Sequence, residues 1–112
     1  MAYSDYQADR IRERLRHHDY AEKKMMGGLV FMVRNAMCVG LDRDKSVDAD
    51  RLMVRVGPEA RESLLGQRGS VDMDFTGRSM KGFLFVSADG FDRDEDLDFW
   101  IEKALEFNST LT

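Results

Sequence analysis

The sequence predicts an α+β domain: an antiparallel five-stranded sheet with helices, in the order α-β-β-β-α-β-β-α. Four observations carry that prediction. Gly82-Phe83-Leu84-Phe85-Val86 is apolar on both alternating sides, the signature of a strand covered on both faces near the middle of a sheet. Just before it, Val71, Met73 and Phe75 alternate with Asp72 and Asp74, as in a half-buried strand. Thr76-Gly77-Arg78-Ser79 links the two as a hairpin, with one glycine free to take positive φ. Finally, Leu97, Trp100, Ile101, Ala104, Leu105 and Leu111, with Asn108 among them, recur at helical steps and form a broad core-facing stripe.

The remaining elements follow in order. Ser4 to about His18 reads as a helix: Ser4 is a good N-cap, Asp5 suits the positive end of the helix dipole, and Gln7 stands where a capping box places it. Its apolar stripe, Ala8, Ile11 and Leu15, is narrow, which puts this helix on the outside of the domain. Lys23–Val33 reads as one strand, with Gly27-Gly28 as a bulge or close backbone approach. Arg34-Asn35 is a turn, Ala36–Leu41 a second strand, Asp42–Asp50 a charged connection, and Leu52–Val56 a third strand. Gly57-Pro58-Glu59 starts a helix, because proline fits the first turn where its missing N–H is not needed. Gly66 and Gly69 end that helix, and Ala88-Asp89-Gly90 is a turn after the hairpin. Asp92-Arg-Asp-Glu-Asp-Leu-Asp98 crowds five acids into the start of the last helix, where unpaired N–H groups favour negative charge.

At 112 residues the chain is one domain, 1–112, with one real core. Its composition, 43% hydrophobic and 34% charged, is that of a folded globular protein rather than a disordered one. No apolar run approaches the roughly 20 residues of a membrane helix, the N-terminus lacks the apolar centre of a secretory signal, and Cys38 is the single cysteine. The expected setting is cytoplasmic, with no membrane partner. The net charge of −4 argues against a general nucleic-acid binder. Arg10, Arg12, Arg14 and Arg16 spread over more than one side of their helix and lie among Asp9 and Glu13, so they read as a solvated, paired face.

Asp42-Arg-Asp44 and Asp92-Arg-Asp94-Glu-Asp96 begin like calcium loops, but Val47 and Leu97 stand where the sixth-position glycine belongs, and Met53 and Lys103 where the twelfth-position glutamate belongs. His17-His18 has no cysteine partner at zinc spacing. Cys38 lies in an apolar strand, where a thiol is buried and inert. No phosphate loop, dinucleotide fingerprint or nucleophile elbow occurs, so the reading is non-enzymatic, with no cofactor and no metal. The eight methionines read as core filling, yet Met25-Met26, Met32 and Met53 cannot all face inward on a one-sided sheet. That geometry supports a second sheet face covered by another copy of the chain, a homodimer. Arg55, Arg78 and Lys81 lie on or beside the sheet and form an alternative anion- or small-ligand-binding set, against which stands simple pairing with Asp72 and Asp74.

Four segments, Lys24-Met-Met-Gly-Gly-Leu29, Met53-Val-Arg-Val-Gly-Pro-Glu59, Met73-Asp-Phe-Thr-Gly-Arg-Ser-Met-Lys-Gly-Phe83 and Asp94-Glu-Asp-Leu97, resemble the TfoX N-terminal domain family in content and order. The resemblance spans about Arg10 to Leu111 and departs at Met26, commonly Phe in the family, and at Ser79, often Pro. It implies a secretion-chaperone-like fold, α-β(3)-α-β(2)-α, and a protein-interaction role akin to that of the TfoX/Sxy bacterial competence regulators, which act as transcriptional coactivators. It implies no catalytic residue.

Overall fold

In a computed structural model of the chain, residues 3–25, 27–44, 46–75 and 78–111 are described, the side chains of residues 71–81 excepted. The elements are α1 (Asp5–Leu15), β1 (Tyr20–Met25), β2 (Gly28–Val33), β3 (Ala36–Asp44), β4 (Ala49–Arg55), α2 (Pro58–Leu64), β5 (Ser70–Phe75), β6 (Arg78–Ser87), α3 (Ala88–Phe91) and α4 (Asp94–Asn108). The strands form one antiparallel sheet in the order β1-β2-β3-β4-β6-β5. The α+β class and all five expected strands are present.

The sheet also has a sixth strand. The expected continuous strand Lys23–Val33 folds back on itself: Met25 pairs with Gly28 and Tyr20 with Val33, so the glycine pair closes a hairpin instead of bulging a strand. Gly27 takes φ +75, which a side chain disfavours. A Cβ on Gly28 would lie 2.3 Å from the Leu41 carbonyl oxygen, so β3 can approach β2 only because that residue is glycine. Three other boundaries move. The expected connection Asp42–Asp50 is mostly strand, because β3 runs to Asp44 and β4 starts at Ala49. The expected turn at Ala88-Asp89-Gly90 is the single helical turn α3. The expected hairpin link shortens, because Arg78 and Ser79 already belong to β6; Thr76 and Gly77 lie outside the described residues.

All four helices pack on one face of the sheet. Ala8, Ile11 and Leu15 of α1 join Leu64, Phe91, Leu97, Trp100, Ile101 and Ala104 over Leu29, Phe31, Val33, Val39, Leu41, Leu52, Val54, Val56, Leu84 and Val86. Trp100 is the largest fully buried side chain, and its indole N–H donates to the Gly90 carbonyl at 3.1 Å. Among the described residues Asn108 is the buried polar exception, 1% exposed. Its amide donates to the Val33 carbonyl at 2.9 Å and accepts from Arg34 Nε at 3.1 Å, tying the end of α4 to the β2–β3 turn. That turn carries Arg34 at φ 51 and Asn35 at φ 65, the mirror-image geometry that matches strand twist.

Candidate interaction face

Strand alternation sends a second set of side chains to the face without helices. Val30, Met53, Phe83 and Phe85 form a separate apolar cluster there, with Met25, Met32 and Met37 partly buried against it. No helix residue takes part in this cluster. A bulge in β3 sorts its residues between the faces. Phe31 pairs with Val39 and Met32 with Met37, so Cys38 is skipped; Cys38 and Val39 both enter the helix-side core, while Met37 turns to the other face. A Cβ on Gly40 would come within 3.1 Å of the Met53 terminal methyl, so Met53 lies across a residue with no side chain of its own.

Two arginines cover the aromatic end of this cluster. The Arg51 guanidinium sits 3.8 Å from the Phe85 ring centre, and Asp42 holds it with bonds from Nε (3.0 Å) and Nη2 (2.8 Å). Asp42 is also the main reason the Arg51 pKa rises. Arg55 lies 5.4 Å from the Phe83 ring centre and 5.5 Å from that of Phe107. Gly57 makes room for Phe107, since a Cβ there would fall 2.5 Å from its ring; φ +90 at Gly57 is open to glycine for the same backbone.

Beside Arg51 and Phe85 opens a cleft of about 410 Å³. Val47, Ala49, Phe85 and Ala88 give it apolar walls, and Asp44, Asp50 and Asp89 supply carboxylates. Val47 stands 68% exposed at its mouth. Hydrogen bonds from the Ser46 hydroxyl and N–H hold the Asp44 carboxyl below the usual range, and the Ser87 hydroxyl does the same for Asp89.

The other sequence-singled residues fall elsewhere. Arg55 is on β4 opposite Phe83; Arg78 and Lys81 are on β6, but their side chains lie outside the described residues, as do those of Asp72, Asp74, Met26, Met73 and Met80. His17 and His18 are exposed after α1. Cys38 is fully buried, and burial pushes its thiol pKa up to about 12. The three α1 arginines and Arg16, at the C-cap, all meet acids. Arg10 donates to Asp94 and to the carbonyls of Phe91 and Asp92, and Arg14 donates to Asp98 and Asp94. Arg12 binds Glu22 at 2.7 Å and Asp9 at 2.8 Å, and Arg16 reaches Glu13 at 3.2 Å. The acidic start of α4 is therefore an anchor for α1 as well as a response to the helix dipole. Sequence reasoning missed this, since more than eighty residues separate Arg10 and Arg14 from most of their partners and no local pattern records the pairing.

Among the described residues no helix is long and apolar enough to cross a membrane. What the molecule presents is an antiparallel sheet armoured by helices on one side and by its own methionines, phenylalanines and arginines on the other. That architecture has a crystallographic counterpart in a protein from Pseudomonas syringae, 17% identical, with a TM-score of 0.63 over 88% of this chain and 93% of that one. The family model for the TfoX N-terminal domain matches residues 14–108, and the chain belongs to that family. No curated protein matches the sequence.

Proposed function

We propose that this domain is a non-enzymatic protein-interaction module of a cytoplasmic, TfoX/Sxy-type bacterial regulator, making contact through the helix-free face of its sheet, and that its first partner is a second copy of itself. The observation that supports this is the second apolar cluster: four nearly closed residues under an outer layer of Met25, Met32 and Met37, with no helix over them. Thioether side chains have several rotatable bonds and a polarizable sulfur, so they adapt to a partner without a fixed mould. The buried Cys38 thiol, whose pKa burial raises to about 12, fits a role without covalent chemistry. Membership of a regulator-like family agrees with the reading. Light scattering across a concentration series tests it. Self-association that weakens in Met32→Glu and Met37→Glu is expected; a wild-type monomer at high micromolar concentration removes the homodimer.

One observation favours a second reading, an anion or small-ligand site built on Arg55 with Arg78 and Lys81. Arg55 lies against two aromatic rings and makes no ion pair among the described residues. A thermal-shift series with phosphate and phosphorylated metabolites tests this: stabilisation that Arg55→Ala abolishes supports the site, and no shift for any ligand removes it. Direct DNA binding draws no comparable support, because the arginines that suggest it are engaged by acids of the same chain.

A further inference from the structure

We infer that two copies stack helix-free face against helix-free face about a two-fold axis running along β3, so that Lys23 of each copy enters the acid-lined cleft beside Phe85 of the other; the inference rests on the self-association proposed above. The strand order sets the lateral placement. β1 and β6 each stand two strands from β3, so an axis between the stacked sheets and parallel to β3 lays β1 of one copy over β6 of the next. The register sets the height. Lys23 pairs with Val30, Val30 with Gly40, Gly40 with Met53 and Met53 with Phe85, one row straight across the sheet. Directly paired residues share a face, so Lys23 projects from the same side as Val30, Met53 and Phe85. Folding that row over its centre at Gly40 brings Val30 against Met53, and Lys23 against Phe85. The centre is a glycine, which lets the two sheets approach where they would otherwise meet side chain to side chain.

Charge selects the same arrangement. The cleft lining carries three carboxylates; Asp50 already pairs with Arg43 at 3.2 Å and Asp44 lies 3.8 Å from Arg51, whose guanidinium Asp42 also holds, so the acid left for an incoming cation is Asp89. Asp89 makes no ion pair among the described residues, and neither does the exposed Lys23. A lysine suits such a cleft in both of its parts. Its four-carbon stem can lie along Val47, Ala49 and Ala88 while its ammonium stays among the carboxylates at the rim. Glu22, the acid that neighbours Lys23 in sequence, points to the other side and is held by Arg12.

The test is a charge swap read by sedimentation equilibrium. Lys23→Glu and Asp89→Lys, both at exposed positions, are each expected to raise the dimer dissociation constant about tenfold. An equimolar mixture of the two variants is expected to return to within about twofold of wild type, because the heterodimer pairs Glu with Lys in one cleft and keeps Lys with Asp in the other. Circular dichroism of each variant alone confirms that it is folded. A wild type that dimerises while ignoring both variants overturns this register and leaves the interaction face standing. Variants that weaken the dimer without rescue in the mixture also overturn it. A wild type that never dimerises removes the register and the self-association together.

Discussion

The two faces of this sheet are cut from the same strands, yet they solve burial differently. On one, four helices close over residues such as Phe31, Leu52, Val54 and Leu84, all 0% exposed. On the other, Val30, Met53, Phe83 and Phe85 remain 3–8% exposed under methionines and two stacked arginines. Rigid aromatic and branched side chains in a dry interior specify one packing, while thioethers and long cations tolerate several. The first face therefore determines the fold, and the second is the one we propose meets a partner. The largest expected effect follows from that contrast. Trp100→Ala should cost on the order of 3–5 kcal/mol in urea unfolding, because it empties a fully packed site and orphans the Gly90 carbonyl. Met32→Ala, on the other face, should cost less than half as much. Equal losses at the two positions would erase the distinction between the faces.

The second prediction probes a polar contact inside the helix-covered face. Asn108 bonds the Val33 carbonyl and Arg34 Nε from a buried position at the end of α4. Replacing it with Leu keeps comparable bulk but leaves the carbonyl without its side-chain donor, and should cost about 1–3 kcal/mol. Because the bond is to the turn that starts β3, hydrogen exchange should quicken at the β2–β3 turn and the last turn of α4 before it does elsewhere. Uniform quickening across the sheet would show that Asn108 does not hold a local joint.

Much of this fold is legible in the residues themselves. Ser4 caps α1 and accepts from the Gln7 N–H as its position implies, and the narrow stripe Ala8, Ile11 and Leu15 is buried. The α4 stripe from Leu97 to Asn108 faces the core, whereas Leu111 falls beyond the end of the helix and is 40% exposed; Pro58 opens α2. β1 was hidden because an edge strand with Ala21, Glu22, Lys23 and Lys24 all exposed shows no apolar alternation, and the glycine pair after it fits a bulge as well as a hairpin. The methionine pattern did signal that both faces of the sheet are in use. The Arg51–Phe85 stack and the cleft beside it had no local signal, since they join residues from β4, β6 and the β3–β4 turn.

A third prediction uses the buried thiol as a probe of the dry face. Burial raises the Cys38 pKa to about 12 in the folded chain, while an unfolded cysteine titrates near 8.5. The native state thus keeps its proton when the unfolded state gives it up. The stability this contributes is complete below about pH 8.5 and is lost as pH rises from there toward 12, at about 1.4 kcal/mol per pH unit. Comparing urea midpoints of wild type and Cys38→Ala at pH 8 and pH 9.5 isolates the effect from tyrosines and lysines. Parallel behaviour of the two proteins would mean that water reaches the thiol.

The smallest expected effect lies at the surface joint between α1 and β1. Arg12 donates to both oxygens of Glu22, from Nε at 2.7 Å and from Nη2 at 2.8 Å, and also to Asp9. Arg12 holds the Glu22 carboxyl below its usual range. Both side chains are about one-third exposed or less, so solvent screens the pair and Arg12→Ala should cost under about 1 kcal/mol. The depressed Glu22 pKa fixes the sign: its contribution is present above the unfolded carboxyl range and fades as pH falls through the folded value. Arg12→Ala and wild type should therefore converge in stability in acid and in high salt, and separate near neutral pH in dilute buffer. A larger loss that ignores salt would place Arg12 among the groups that hold the helix-covered face, joining α1 to the sheet by more than the buried stripe of Ala8, Ile11 and Leu15.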